Sequence, residues 1–198
     1  MSRTLVINGS YRSGGFTDQV VNVMAETLVE AGAEVEVVLL RSHPIEFCTN
    51  CRICTQPSGK VHGTCVIHDG MAELIGKIEK SDSYIFATPT NFGSATALFM
   101  RFVERLVVYA DWPWGSKCPK MRTAEAVPKR AVLVSSCAAP GLLGRWSFGT
   151  RRQLKTLARI LGADPVGLLF VGQVALHPQP QVSDRTRKKA RHLAGKLI

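Results

Sequence analysis

Thr4-Leu5-Val6-Ile7-Asn8-Gly9-Ser10-Tyr11-Arg12-Ser13-Gly14-Gly15-Phe16-Thr17 is the stretch whose reading decides the fold. Residues 4–8 form a short Val/Ile-rich apolar run stopped by a glycine, the pattern of a strand buried on both faces. Residues 18–31 then place Val20, Val21, Met24, Leu28 and Ala31 at helical spacing, with Gly32 as terminator. Residues 9–17 therefore join a buried strand to a helix N-terminus, where unpaired backbone N–H groups and the helix dipole favour an anion. Phosphate suits the composition: Ser10, Ser13 and Thr17 offer hydroxyls, Gly14 and Gly15 permit close approach, and Arg12 supplies a bidentate cation. A Gly/Ser turn with a Thr or Asp helix cap would use the same residue types.

The alternation continues outward. Residues 34–40 (EVEVVLL) read as a second strand, so short β-α-β connections require a right-handed crossover and a parallel sheet. Residues 71–80 predict a helix and 83–88 a third strand, stopped by Pro89. Residues 95–109 predict a long helix with Leu98, Phe102, Leu106 and Tyr109 on one face. A fourth strand at 130–135, a helix at 153–161, a fifth strand at 166–171 and a basic terminal helix at 184–198 complete the series. Five alternating strands define a doubly wound α/β sheet of order 2-1-3-4-5 with helices on both faces, expected as one domain over residues 1–198. Ligands of such sheets sit beyond the carboxyl ends of the strands at the switch point, so the loops to search are 9–17, 89–94 and 136–147. Residues 47–69 are too long for a simple connection and read as a cysteine-rich insertion.

Composition narrows the class further. The 198 residues are 45% hydrophobic, and no stretch nears the roughly 20 apolar residues of a membrane span. The N-terminus enters a strand without a secretory leader pattern, which gives a cytoplasmic expectation. In that compartment the six cysteines read as thiols, metal ligands or redox groups and not as three disulfides. The net charge of +10 is concentrated in Arg185, Arg187, Lys188, Lys189, Arg191 and Lys196, opposed there only by Asp184. This stripe could attract nucleic acid, but a solvated helix face with Leu193, Leu197 and Ile198 inward is the simpler reading. Competing nucleotide motifs fail on inspection. Gly15-Phe16 stands where a Walker loop needs Lys-Ser/Thr, no GxGxxG occurs in the first turn, and Asn8 and Thr88 do not supply the acids of a phospho-receiver.

Three motifs carry a resemblance. They are Gly9-Ser10-x-Arg12 with Thr17; Gly63-x-Cys65-x-Ile67-x-Asp69-x-Met71; and Thr88-Pro89-Thr90-Asn91-Phe92-Gly93-Ser94-Ala95 followed by Phe102-Val103-Glu104-Arg105. With strand order, they make residues 1–175 resemble the NAD(P)H-dependent FMN reductases of flavodoxin-like fold, and among them the iron-sulfur flavoproteins. The resemblance implies that Ser10, Arg12 and Thr17, with Ser13, Gly15 and Phe16 of the same turn, hold the FMN phosphate. It implies that Pro89, Thr90, Asn91, Phe92 and Gly93 lie along the ribityl chain and ring, with Ser136 facing them from the fourth-strand loop. Asn91 stands where many members carry Tyr, and Gly70 where a second Asp is usual. Phe92 and Trp112 are the candidate replacements for the missing ring partner. The implied chemistry is hydride transfer from NAD(P)H to flavin N5, and from there to a quinone, azo compound, metal ion, flavin, redox protein or cluster, without a catalytic side chain. Arg145, Arg151 and Arg152 are candidates for favouring NADPH through its extra phosphate. A homodimer or homotetramer is implied, with residues 109–114 as a candidate contact.

Cys48-x2-Cys51-x2-Cys54-x10-Cys65 has the spacing of a [4Fe-4S] site, and four such cysteines hold the cluster in the iron-sulfur flavoproteins that the loop resembles. Reduced thiols in a structured loop, or zinc assisted by His62 or His68, fit the same residues. Cys118 and Cys137 lie outside the spacing. Two functional rivals remain open at this point: a one-electron flavodoxin-like carrier without its own NAD(P)H oxidase activity, and a basic module gripping nucleic acid or a partner through the tail.

Overall fold

The computed structural model describes residues 2–123 and 126–198. Its elements run β1 (Arg3–Asn8), α1 (Phe16–Glu30), β2 (Glu34–Leu39), α2 (Met71–Lys80), β3 (Ser83–Asn91), β4 (Ser94–Ala95), α3 (Ala97–Arg105), β5 (Ala110–Asp111), β6 (Lys120–Met121), β7 (Lys129–Ser136), α4 (Gly141–Ser147), α5 (Thr150–Ile160), β8 (Ala163–Val171) and α6 (Asp184–Ala194). The central path is β2-β1-β3-β7-β8, all parallel, so the order expected for the five long strands is the observed one. Successive strand residues alternate between two cores. Leu5, Ile7, Tyr84, Phe86 and Leu133 face α2, α3 and α5, while Val6, Ile85, Ala87, Val132 and Val134 face α1 and α6. Burial on both faces explains why β1 reads as an unbroken apolar run.

Several boundaries differ from the sequence reading. β3 does not stop before Pro89 but continues to Asn91, with Pro89 opposite Ser136 of β7. The Ala87 carbonyl accepts from Gly9 N–H on the β1 side, and residue 89 points the same way, past the end of β1. The missing proline amide therefore costs no ladder bond. Thr90 and Asn91 then pair antiparallel with Ala95 and Ser94 across a two-residue turn, Phe92-Gly93, both with positive φ (49° and 80°).

This hairpin shortens the following helix, which begins after the cap Thr96 and gives way to a 3₁₀ turn at Leu106–Tyr109. Residues 136–147 are not all loop, because α4 follows Pro140. β8 starts at Ala163, three residues earlier than expected, with a register irregularity between Ala131 and Val132. The terminal helix ends at Ala194; Leu193 and Leu197 are buried, whereas Ile198, expected inward, is half exposed.

Candidate functional site

The carboxyl ends of β1, β3 and β7 open onto a cleft of about 210 Å³. Ser10, Arg12, Gly15, Phe16, Thr17, Pro89, Thr90, Asn91 and Ser136 line it together. Ser13 lies instead on an adjoining cleft with Gly14, and Phe92 and Gly93 stand at the hairpin tip outside the lining, the Phe92 ring fully exposed. Trp112 is remote from this cleft: the Arg52 guanidinium stacks on its ring at 3.7 Å and its indole N–H donates to Ser116 O.

The turn is braced from behind. Asn8, fully buried, donates to Asp18 Oδ1 at 2.7 Å, and its own side-chain oxygen accepts from Ser10 N–H at 2.9 Å. Asp18 also receives Gly14 N–H at 2.9 Å and an ion pair from Arg41 at 2.8 Å, and Arg41 further donates to Ser10 O. The carboxylate in the first turn of α1 is thus neutralised on the side away from the cleft. Gly9 is required by close approach, since a Cβ there would stand 2.7 Å from Phe99.

At the mouth of the cleft, α1 begins at Gly15, which provides no side-chain cap, so its first amides face the space. Thr17, a residue only 3% exposed, lines the cleft, and its hydroxyl has no hydrogen-bond partner among the described residues. Thr90 is oriented by bonds to Ser135 (3.1 Å) and Thr150 (2.9 Å). Cys137, also in the lining, is a thiol pushed up by burial.

A strap that the sequence reading missed closes one side. Val174, Ala175 and Pro180 line the cleft; Arg12 donates to Pro178 O at 2.6 Å, Gln19 donates to Pro180 O at 3.0 Å, and Val182 N–H donates back to Gln19. The run His177-Pro178-Gln179-Pro180-Gln181 signals a loop, but its partners lie more than 160 residues earlier in the chain.

The insertion builds a second site. Cys48, Cys51, Cys54 and Cys65 line one small cavity with Arg105 and Val107. Cys54 is pushed up to about 11 by burial and then by Cys65, Cys48 and Cys51, which marks the four thiols as close neighbours. Among the described residues no three His, Cys, Asp or Glu side chains converge tightly enough for a single metal ion. His62 and His68 line a neighbouring groove, with Asp69 and Ile75, that shares Cys65 and Ile67 with the cysteine cavity.

Arg105, 1% exposed, holds the insertion to α3. It pairs with Asp69 at 2.6 Å and donates to Glu46 O at 2.9 Å and to Cys65 Sγ at 3.4 Å. Burial pushes Asp69 upward, but the bonds from Arg105 and from the Glu46 and Met71 amides outweigh it and hold the carboxyl below its usual range. Of the candidate contact 109–114, Tyr109 and Ala110 are buried and Trp114 is exposed. Cys118 is an exposed thiol, and all six cysteines are free.

A five-stranded parallel sheet with a helix N-terminus facing its switch-point cleft defines a flavodoxin-like α/β protein. Solved structures agree on that fold. An FMN-dependent NADH-azoreductase from Bacillus anthracis in complex with FMN superposes over 100% of this chain and 99% of its own, at TM-score 0.69 and 12% identity. A flavone reductase covers 98% of this chain and 61% of its own, at TM-score 0.67 and 19% identity.

The chain belongs to the NADPH-dependent FMN reductase family, whose model matches residues 2–171. Curated relatives include an iron-sulfur flavoprotein of Archaeoglobus fulgidus, 34% identical over 107 residues (54% of this chain, 46% of the relative). Another is an iron-sulfur flavoprotein of Methanocaldococcus jannaschii, 28% identical over 103 residues (52% and 51%). The chain spans about half the length of the curated relatives it matches. Among the described residues no helix is long and apolar enough to cross a membrane.

Proposed function

We propose that the protein is an FMN-dependent oxidoreductase that takes reducing equivalents from NAD(P)H. The observation that carries this reading is the uncapped N-terminus of α1, with the partnerless Thr17 hydroxyl beside it, at the cleft on the sheet's switch point.

The residues fit the group. Amides of the first turn of α1 and the hydroxyls of Ser10 and Thr17 would receive the phosphate. The buried Asn8–Asp18–Arg41 network keeps the turn in one shape and keeps the Asp18 charge off the anion. Arg12, anchored to Pro178, ties the strap over the same end while adding positive charge. Pro89, Thr90 and Asn91 form the wall along which the rest of the cofactor would lie, with Ser136 opposite and Val174, Ala175 and Pro180 excluding water. Bound FMN supplies the hydride and electron chemistry, and the protein supplies binding, orientation and shielding.

Cys48, Cys51, Cys54 and Cys65, which line one small cavity, would hold a [4Fe-4S] cluster, a one-electron centre when present. Small-molecule acceptors or a redox protein are the proposed partners, with residues 1–198 acting as one unit in a homodimer or homotetramer. Six free cysteines suit the cytoplasm.

Reconstitution tests the reading. Apo-protein titrated with FMN should quench flavin fluorescence, and anaerobic mixing of the holoprotein with NADPH or NADH should bleach the flavin directly. Retained FMN with no bleaching by either nucleotide would make the protein an electron carrier; no FMN uptake would overturn the reading.

A further inference from the structure

Beside the flavin cleft lies a second groove of about 420 Å³ that the chemistry above does not use. α4 contributes Arg145 and Trp146 to it, and α5 contributes Arg151, Arg152, Lys155 and Arg159. Residues 137–163 contain no Asp or Glu, so nothing local balances these five cations. None of them has an ion pair or a side-chain hydrogen bond among the described residues, and Arg145 Nε is shielded from solvent without a partner.

Folding alone does not favour this pattern. Arg151, Lys155 and Arg159 follow one another at i,i+4 spacing, where like charges repel by a few tenths of a kcal/mol per pair. Arg151 and Arg152 occupy the first turn of α5, the end where the dipole favours acids. A solvated face would be better served by alternating signs, so the concentration of charge calls for an anionic occupant.

The groove also carries an aromatic plate. Trp146 is 68% exposed, and the Arg151 guanidinium lies 4.7 Å from its ring centroid. An exposed indole with a guanidinium over its ring suits a purine ring attached to phosphate.

Position completes the case. Gly144 of α4 rests against Cys137, which lines the flavin cleft, so a Cβ there would stand 2.5 Å from its Sγ. Gly149, leading into α5, donates to Gly93 O of the β3–β4 hairpin at 2.7 Å, and Phe148 of the groove wall lies beside the same glycine. Cleft and groove are thus separated only by the root of α4 and the hairpin tip.

We infer that this groove binds the 2′-phosphorylated adenosine end of NADPH: Trp146 stacks the adenine, and Arg151, Lys155 and Arg159 receive the 2′-phosphate. The inference rests on the NAD(P)H-oxidoreductase reading and adds to it the nucleotide that is chosen and where.

Binding of adenosine 2′,5′-bisphosphate and of 5′-AMP to the full-length protein, followed by tryptophan fluorescence and calorimetry, tests it without any turnover. The 2′-phosphorylated nucleotide should bind at least tenfold tighter and quench emission. Arg151→Gln with Arg159→Gln should remove that preference, and Trp146→Phe should remove the quench. Equal affinity for the two nucleotides, a preference that survives the double replacement, or tight binding of a DNA duplex with no discrimination between nucleotides would overturn it. FMN uptake measured on the same preparation separates the two claims: discrimination without FMN uptake supports the groove and defeats the flavin reading, whereas FMN uptake without discrimination defeats the groove alone.

Discussion

The turn after β1 and the cysteine insertion both gather candidate site residues, but they are held differently. The turn grows out of a fully buried strand and runs into a 15-residue helix, and its bracing network sits at the sheet edge. The insertion has a single 3₁₀ turn, Ile53–Thr55, and is pinned by arginines: Arg105 on Asp69 and Glu46, Arg52 on Trp112 O, and Arg122 on Pro57 O and Gly59 O. One site inherits its geometry from a buried strand and a long helix, with the Asn8–Asp18–Arg41 network added behind the turn. The other depends on a few charge-assisted bonds, which are strong only while every partner is present.

The largest expected effect breaks the weaker side. Asp69→Asn leaves the buried Arg105 guanidinium without its counter-charge, which should cost about 3–5 kcal/mol in urea unfolding and expose the insertion to protease. Acid should act in the same direction. The folded carboxyl is held below its ordinary range, so its stabilisation is complete above the unfolded value of about 3.9 and is lost as pH falls through the folded one. Protease sensitivity in residues 47–69 followed downward in pH measures this.

Gly63→Ala should come next, at about 1–3 kcal/mol, because a Cβ there collides with the Cys54 carbonyl. FMN affinity should stay at the native level, which would sharpen the separation of the two regions; a matching loss of FMN would erase it. Thr17→Ala is the converse, with FMN bound roughly tenfold more weakly, as for one hydrogen bond to a charged group, and the melting temperature unmoved. The smallest effect concerns the hairpin tip. Phe92→Gly relieves a φ of 49° and should stabilise by about 1 kcal/mol in thermal unfolding.

The same contrast governs what the sequence made legible. Strands β1, β3 and β7 could be read because burial on both faces leaves an unbroken apolar run, and the turn could be read because Gly9, Ser10, Arg12 and Thr17 are neighbours along the chain. α4 was hidden by Gly141 and Gly144, poor helix formers that serve close contacts with Gly172 and Cys137. The extension of β3 beyond Pro89 depended on where β1 ends, which is a fact about pairing and not about local pattern. The role of Arg41 behind Asp18 and the strap held by Arg12 and Gln19 arise from contacts between distant segments, for which one sequence carries no periodic signal. Cysteine spacing pointed to a shared site, and the fold brings the four thiols to one cavity.

Calorimetric titration of apo-protein with FMN and with riboflavin, which differs by lacking the phosphate, tests the role of the α1 N-terminus most directly. Binding of FMN at least a hundredfold tighter than riboflavin, with most of that margin lost in Thr17→Ala with Arg12→Ala, is the expected result. Equal affinity for the two flavins would contradict it.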